Sequence, residues 1–418
     1  MNQILDSAIS LRPEKSISPA EPFEPYVLSE GTVTLESSLT AYGRGRLSFM
    51  AHTPTDKLEI PHSGALPEDW SDSLDNFIGD RSHFCALFLS YDFGAEICAG
   101  IRRSDGLSGV PRILAYKYDS VKILESGAVL EIPFTRATSI PPEITPISRP
   151  DPVRYMHDVE RIKGRIREGD IYQANLTGEW QVKSDIPPWD VYQNLRRLNP
   201  AQYAGFANLG DTTVISSSPE RLFSVSGQNI RANPIKGTIA LGQCEAETLR
   251  NKQRLLASAK DRAELLMIVD LLRNDLGKVC RYGTVRTHEI WKPEVYSSLI
   301  HLAGDIRGRL KGDVRVSEII NALFPGGSIS GAPKKRALEI LAEIEGRPRG
   351  LYTGSFGYVY RDQIDLNIAI RTMTYHDGLY TIQAGGGIVA DSGASAEYDE
   401  ACLKARNLLR ALSPELDP

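Results

Sequence analysis

Apolar and polar residues change their spacing repeatedly along this chain, and the changes predict its elements. The stretch 33–53 alternates with a two-residue period, punctuated by Gly43 and Gly45, as a half-buried strand region does. Residues 83–91 are apolar almost throughout yet too short for a core helix, so they read as a buried strand. Further strands are predicted over 113–118 and 128–133, and a helix over 67–78 with Pro67 in its first turn. Residues 135–152 contain five prolines and no helical period, which marks a linker. Beyond it a helix opens at Asp151 or Pro152 and runs to Arg167, ending at Gly169. A strand over 170–177 and an amphipathic helix over 188–198 follow, then a long helix over 245–276 ended by Gly277. Helices over 333–345 and 395–412, and strands over 354–359, 365–374 and 379–384, complete the pattern. Strands interrupted by helices without regular βαβ alternation predict an α+β fold. The expected division is an N-terminal region, 1–134, whose strands complete the fold, the linker 135–152, and a catalytic domain, 153–413.

Composition narrows the function classes. A net charge of −5 on 418 residues gives no reason to expect nucleic acid or an anionic membrane surface. Cys85, Cys98, Cys244, Cys280 and Cys402 are scattered and form no CxxC pair, which argues against a disulfide framework and suits a reducing compartment. The first residues carry Pro and charge where a signal peptide needs an apolar run, and no stretch approaches the roughly 20 apolar residues of a membrane span. A cytoplasmic enzyme is the expectation.

The candidate chemistry centres on Glu220 and Lys236. Leu222 to Val225 and Ile230 to Ala232 read as a hairpin turning at Gly227 to Asn229, and both residues are eight positions from Gln228. A regular ladder would place them opposite one another, about 4.5–5.5 Å apart at Cβ, though Pro219 and Pro234 interrupt it. An acid and an amine so placed fit a catalytic pair or a structural ion pair. Asp261 and Glu264 are three apart on one helix, and Glu397 and Glu400 three apart on another. Two helices presenting oxygen ligands suit a hard cation such as Mg²⁺; each pair alone also fits a solvated helix face. The glycine-rich stretch 325–334 before a helix, and a second loop at Gly385 to Gly387, could hold an anion on backbone N–H groups or simply turn tightly. Arg371 is an isolated cation in an apolar strand, so it needs an ion-pair partner or clamps a carboxylate.

Taken together, DIYQANLT (170–177), SSPERLF (217–223), NPIKGT (233–238), ELLMIVDLLRNDLGKVC (264–280), FPGGSISGAPKKRALEI (324–340), LNIAIRT (366–372) and AGGGIVADSGASAEYDEACLKA (384–405) resemble the chorismate-utilising enzymes, the family of anthranilate synthase component I and isochorismate synthase. The resemblance runs from about residue 153 to 412 and implies the anthranilate synthase component I-like fold, a large, mostly antiparallel β-sandwich flanked by helices. The lysine of NPIKGT is similar to the aminodeoxychorismate synthase component I branch, and Gln173 stands where water-adding relatives carry a lysine base. The resemblance implies Lys236 as nucleophile and Glu220 as general acid and base. It implies Mg²⁺ on Glu264 and Glu400, with Asp261 and Glu397 acting through water. Substrate contacts fall at Thr238, His301, Ser328, Tyr352, Arg371, Gly385, Gly387 and Lys404. Leu35, Glu36 and Ser37 resemble the segment that holds feedback tryptophan in anthranilate synthases. The implied reaction converts chorismate and ammonia to 4-amino-4-deoxychorismate, the ammonia coming from a separate glutamine amidotransferase (glutaminase) subunit, because no cysteine here lies in a glycine-rich nucleophile turn.

Overall fold

The strand Phe84–Leu89 shows how the molecule is layered, because every residue in it is buried. Phe84, Ala86 and Phe88 pack with Phe49, Tyr116 and Phe356 between two sheets. Cys85, Leu87 and Leu89 face the other way, into a core shared with Leu74, Phe93, Leu265 and Ile319 from the helices. The two-residue alternation of a strand therefore distributes one short apolar run over two separate cores. A third core, containing Val159, Leu195, Leu341 and Leu408, fills the space between the first sheet and its helices. The computed structural model describes residues 29–37, 47–102, 109–125, 143–295 and 299–418.

The first sheet runs in the order Gly331–Ala332, Gln173–Ser184, Leu379–Ile388, Thr372–His376, Thr213–Ser218, Tyr203–Asn208, Thr32–Glu36, Leu47–Ala51, Lys122–Glu125, with Ile144–Ser148 also beside Gln173–Ser184. The second runs Ile235–Ala240, Leu299–Arg309, Asn229–Asn233, Arg221–Ser226, Gln363–Asn367, Ser355–Tyr360, Phe84–Leu89, Ile113–Tyr118, Asp56–Ile60, with Arg286–Val295 beside Leu299–Arg309. The described ladders are antiparallel. The predicted α+β class and the helix-flanked antiparallel sandwich are what the structure contains. No described helix is long and apolar enough to cross a membrane.

Several boundaries differ for identifiable reasons. The helix predicted over 245–276 is two helices, Glu245–Ala257 and Ala259–Val279. Ser258 adopts an extended conformation between them, and its hydroxyl accepts from the Asp261 N–H at 3.3 Å, so it caps the second helix. Tyr91–Ala99 is a helix that the apolar run concealed; Ser90 caps it by accepting from Phe93 N–H at 3.2 Å. The predicted linker contains a strand, Ile144–Ser148, whose register slips beyond Pro146. The strand predicted over 128–133 and the segment 40–46 lie outside the described residues. The N-terminal strands are interleaved with later ones in both sheets, Thr32–Glu36 against Tyr203–Asn208 and Phe84–Leu89 against Ser355–Tyr360. Leu35 and Glu36 line a cavity of about 630 Å³ between the sheets. The Glu36 carboxylate already accepts from Arg196 and, at 2.8 Å, from the Tyr192 hydroxyl.

Candidate active site

The hairpin is present, but its turn is Gly227-Gln228, with Ser226 opposite Asn229 and a bulge shifting the register near Arg221. Lys236 belongs to the next strand, Ile235–Ala240, which pairs with Leu299–Arg309 rather than with the hairpin. Glu220 and Lys236 still face a common space, and the ion pair of a purely structural role is not formed. Ser328 stands between them: its hydroxyl donates to Glu220 Oε1 at 2.9 Å, and its carbonyl accepts from Lys236 Nζ at 3.3 Å. Glu220 is 5% exposed. Burial pushes its carboxyl above the ordinary carboxylate range, against the opposing pull of Lys236, the Ser328 hydroxyl and the Ile235 N–H.

Gly385 to Gly387 do not form a loop. They lie inside Leu379–Ile388 and pair with Thr177, Leu176 and Asn175 on one side only, because the strand on the other side pairs no further than Ile382. What the glycines supply is space. A Cβ on Gly387 would fall 2.1 Å from Gln173 Nε2 and 3.4 Å from Lys236 Nζ, so the Gln173 amide and the Lys236 amine both lie over this one bare position. A Cβ on Gly386 would lie 3.1 Å from Glu397 Oε2 and 3.7 Å from Glu400 Oε1. Gln173 is 1% exposed, and its Oε1 has no hydrogen-bond partner.

The carboxylate helices flank Lys236. Burial pushes Glu264 above its ordinary range; Lys236 and Lys260 oppose the shift, while Asp261 and Glu397 reinforce it. Burial acts on Glu400 in the same sense, but Lys404 outweighs it, with Lys236 and Lys260 assisting, and holds Glu400 below its ordinary range. Lys404 Nζ lies 2.7 Å from Glu400 Oε1 and donates to the Gly385 carbonyl at 2.8 Å. Glu397 accepts from the Ser392 hydroxyl at 2.6 Å. Gly237, at φ 64, admits the Asp261 helix: a Cβ there would come within 2.9 Å of the Asp261 side chain. Among the described residues no three His, Cys, Asp or Glu side chains are close enough to enclose a metal ion. The donor set nevertheless suits Mg²⁺, which takes one or two carboxylates and completes its shell with water and substrate oxygens. A cation here would also offset the repulsion that Asp261 and Glu397 impose on Glu264.

His301 and Arg371 form a second wall. His301 Nδ1 is 2.9 Å from Thr238 Oγ1 and 3.4 Å from the Gly237 carbonyl. Burial, helped by the nearby Arg371 charge, lowers its pKa to about 4, so the ring is neutral at pH 7. The sign of the linkage is fixed: the unfolded chain binds a proton near pH 6.5 that the folded chain refuses until about pH 4. Lowering pH through that window should cost about 3 kcal/mol of stability, read by urea unfolding at several pH values. His301→Gln should flatten the dependence; an unchanged pH slope in that variant assigns it elsewhere. Arg371 is not in a strand. The predicted strand 365–374 is two, Gln363–Asn367 and Thr372–His376, and Arg371 occupies the break at φ 49. Its Nη1 donates to Asn199 Oδ1 at 2.9 Å, and Asn199 in turn donates to Ser217 Oγ at 2.8 Å. Burial lowers the guanidinium below its ordinary value, and among the described residues no carboxylate pairs with it. Nothing in the sequence singled out Asn199, whose role depends on two loops meeting. Tyr352 is 6% exposed, and burial pushes its hydroxyl up to about 12.

The space so formed is lined by an amine, a buried acid, two carboxylate helices and a guanidinium with no carboxylate partner among the described residues, a combination suited to a small polyanion and a divalent cation. Residues 116–410 match the family described as chorismate binding enzyme. Over 255 residues the chain is 41% identical to aminodeoxychorismate synthase component 1 of Bacillus subtilis, covering 61% of this chain and 54% of that one. Over 259 residues it is 41% identical to anthranilate synthase component 1 of the same organism, covering 62% and 50%. The chain thus spans about half the length of the curated relatives it matches. Among solved structures, anthranilate synthase component I from Streptococcus pneumoniae superposes with a TM-score of 0.75 at 26% identity, over 95% of this chain and 99% of that one. A 2,3-dihydroxybenzoate-specific isochorismate synthase from Bacillus anthracis, so described, shares the fold at a TM-score of 0.72 and 23% identity, over 94% and 99%. The chain belongs to the chorismate binding enzyme family.

Proposed function

We propose that the chain is component I of an aminodeoxychorismate synthase, converting chorismate and ammonia to 4-amino-4-deoxychorismate in 4-aminobenzoate and folate synthesis. The observation that carries this reading is Lys236: an amine projecting into the site, hydrogen-bonded to the Ser328 carbonyl rather than ion-paired to the acid beside it. Lys236 attacks C2 of chorismate while the C4 hydroxyl leaves as water with the Glu220 proton. Ammonia then attacks C4, the double bonds shift back, and the Lys236 amine departs from C2. The raised pKa of Glu220 supports the acid role, because a carboxyl must hold its proton to donate it. Arg371 and the backbone N–H groups of the Gly385–Gly387 strand hold substrate carboxylate oxygens, and Lys404 fixes that strand through the Gly385 carbonyl. Glu264 and Glu400 would hold Mg²⁺, with Asp261 and Glu397 acting through water. The ion would neutralise a substrate carboxylate. Ammonia would come from a glutamine amidotransferase subunit.

Relatives of both names match equally well, so anthranilate synthase component I is the second reading, favoured by the Streptococcus pneumoniae structure. Product identity separates them. Chorismate, Mg²⁺ and ammonia should give 4-amino-4-deoxychorismate; fluorescent anthranilate as the main product would overturn the proposal. Glu400→Gln should raise the Mg²⁺ concentration giving half-maximal rate by about tenfold or more, and an unchanged titration would remove Glu400 from the ligand set.

A further inference from the structure

The loop 347–353 contains a side chain that touches no candidate reacting group yet reaches three walls of the site. Arg349 is 2% exposed. Its five N–H donors make five hydrogen bonds: Nε to Glu345 Oε2 at 2.9 Å, Nη2 to Glu345 Oε1 at 2.7 Å and to the Asn175 carbonyl at 2.6 Å, Nη1 to the Ile329 carbonyl at 3.1 Å and to Thr353 Oγ1 at 3.3 Å. The three acceptors other than Glu345 each adjoin or pair with a site residue. Asn175 is the ladder partner of Gly387. Ile329 follows Ser328, the residue between Glu220 and Lys236. Thr353 follows Tyr352 and stands at φ 60, a left-handed conformation strained for a β-branched residue. The guanidinium is itself held by Glu345, which also accepts from Thr177 N at 3.0 Å and Oγ1 at 2.9 Å, and by the Tyr91 ring 4.4 Å away. The backbone of the loop is fixed separately, Asp92 Oδ2 accepting from Gly350 N–H at 2.8 Å and the Arg349 carbonyl accepting from Gln383 Nε2 at 3.1 Å.

We infer that Arg349 is a positioning residue for the reaction, setting the spacing between the walls that carry Gly387, Ser328 and Tyr352. Glu345 balances the charge and takes two of the five donors; a guanidinium this buried needs acceptors for the other three as well, and what matters is where they lie. The bonds to Asn175, Ile329 and Thr353 come from three different elements, and a planar fork with fixed donor directions ties them at set distances in a way an ammonium cannot. Through Ile329 it steadies the Ser328 carbonyl that receives Lys236. The catalytic meaning rests on the function proposed above; the geometric claim does not.

The test uses the full chain carrying Arg349→Lys, which keeps the charge beside Glu345 and loses the fork. Its comparison is Arg112→Lys. Arg112 is 3% exposed and binds Glu96 at 2.6 Å and the Gly64 carbonyl at 2.9 Å, in a segment that carries none of the candidate site residues. With chorismate, Mg²⁺ and ammonia, Arg349→Lys should lower kcat at least about tenfold, as sub-ångström loosening of reacting groups does, while Arg112→Lys leaves kcat and KM unchanged. Equal losses of kcat in the two variants at matched stability would overturn the inference. If the wild-type chain does not turn over chorismate, the functional proposal fails and a second readout decides. An amine-reactive ester should label Lys236, followed by peptide mass spectrometry, faster in Arg349→Lys than in wild type or Arg112→Lys, and equal labelling in all three would sink the positioning role. Should Arg349→Lys not fold, Arg349→Met combined with Glu345→Met removes both charges together and takes its place in both assays.

Discussion

Replacing Lys236 with alanine is expected to slow formation of 4-amino-4-deoxychorismate by about a thousandfold or more, roughly 4 kcal/mol of barrier. On the proposed mechanism the size follows from losing a covalent route: without the amine, ammonia would have to displace the C4 hydroxyl directly, with no intermediate to divide the step. The substitution also changes charge. Lys236 is among the cations pulling Glu220, Glu264 and Glu400 downward, so its removal should raise all three carboxyls and shift the pH–rate profile upward. With C2 no longer protected by the lysine, ammonia can reach that carbon, and some anthranilate is the expected by-product. Fluorescence detection of anthranilate beside chromatography of the main product reads both outcomes in one reaction. Wild-type rates in Lys236→Ala would take the residue out of the mechanism altogether.

Glu220→Gln should cost about 10²- to 10⁴-fold in kcat while leaving the chorismate KM within about threefold, the signature of a group that acts only in the transition state. Glutamine preserves the shape and can still accept from the Ser328 hydroxyl, so the loss reports the missing proton. The sign with pH is equally definite. Glu220 has its pKa raised chiefly by burial, so the protonated, donating form prevails below that value and the rate should fall as pH rises through it. In Glu220→Gln that limb should disappear. A limb that persists in the variant belongs to another group, and a variant with full kcat would dismiss Glu220 as the acid.

How much of this was legible in the residues differs from element to element. The strand Phe84–Leu89 could be read from its apolar run, and the α+β class from the irregular order of elements, because burial periodicity is written locally. The break at Ser258 was also local, yet a serine inside a helical pattern is ordinary and only its extended backbone makes it a cap. Gly385 to Gly387 looked like a loop because glycine usually punctuates; the twelve-residue strand Gln173–Ser184 supplies a partner for every one of them. The pairing of Glu220 with Lys236 was anticipated from hairpin symmetry, but the actual closeness comes from a third element, Ser328, more than ninety positions along. Arg349 and Asn199 had no signal, since the groups that tie them to the site, the Asn175 and Ile329 carbonyls for one and Ser217 and Arg371 for the other, are distant in sequence. Residues proposed to act through their own chemistry fall in motifs; a residue proposed to act by holding others does not.

The interleaving of early and late strands bears on how the chain is made. Leu89 pairs with Ile113 on one side and Ser355 on the other, so a segment buried on both faces waits on the ribosome for about 270 further residues before its second neighbour exists. Thr32–Glu36 waits likewise for Tyr203–Asn208. During that interval each strand has one open edge and an apolar face without its later cover, the condition under which incomplete chains aggregate. A fragment begun after residue 150 would meet the converse problem, leaving Tyr203–Asn208 and Ser355–Tyr360 as bare sheet edges. Such a fragment keeps every candidate catalytic side chain and should still precipitate, which light scattering on refolding would register.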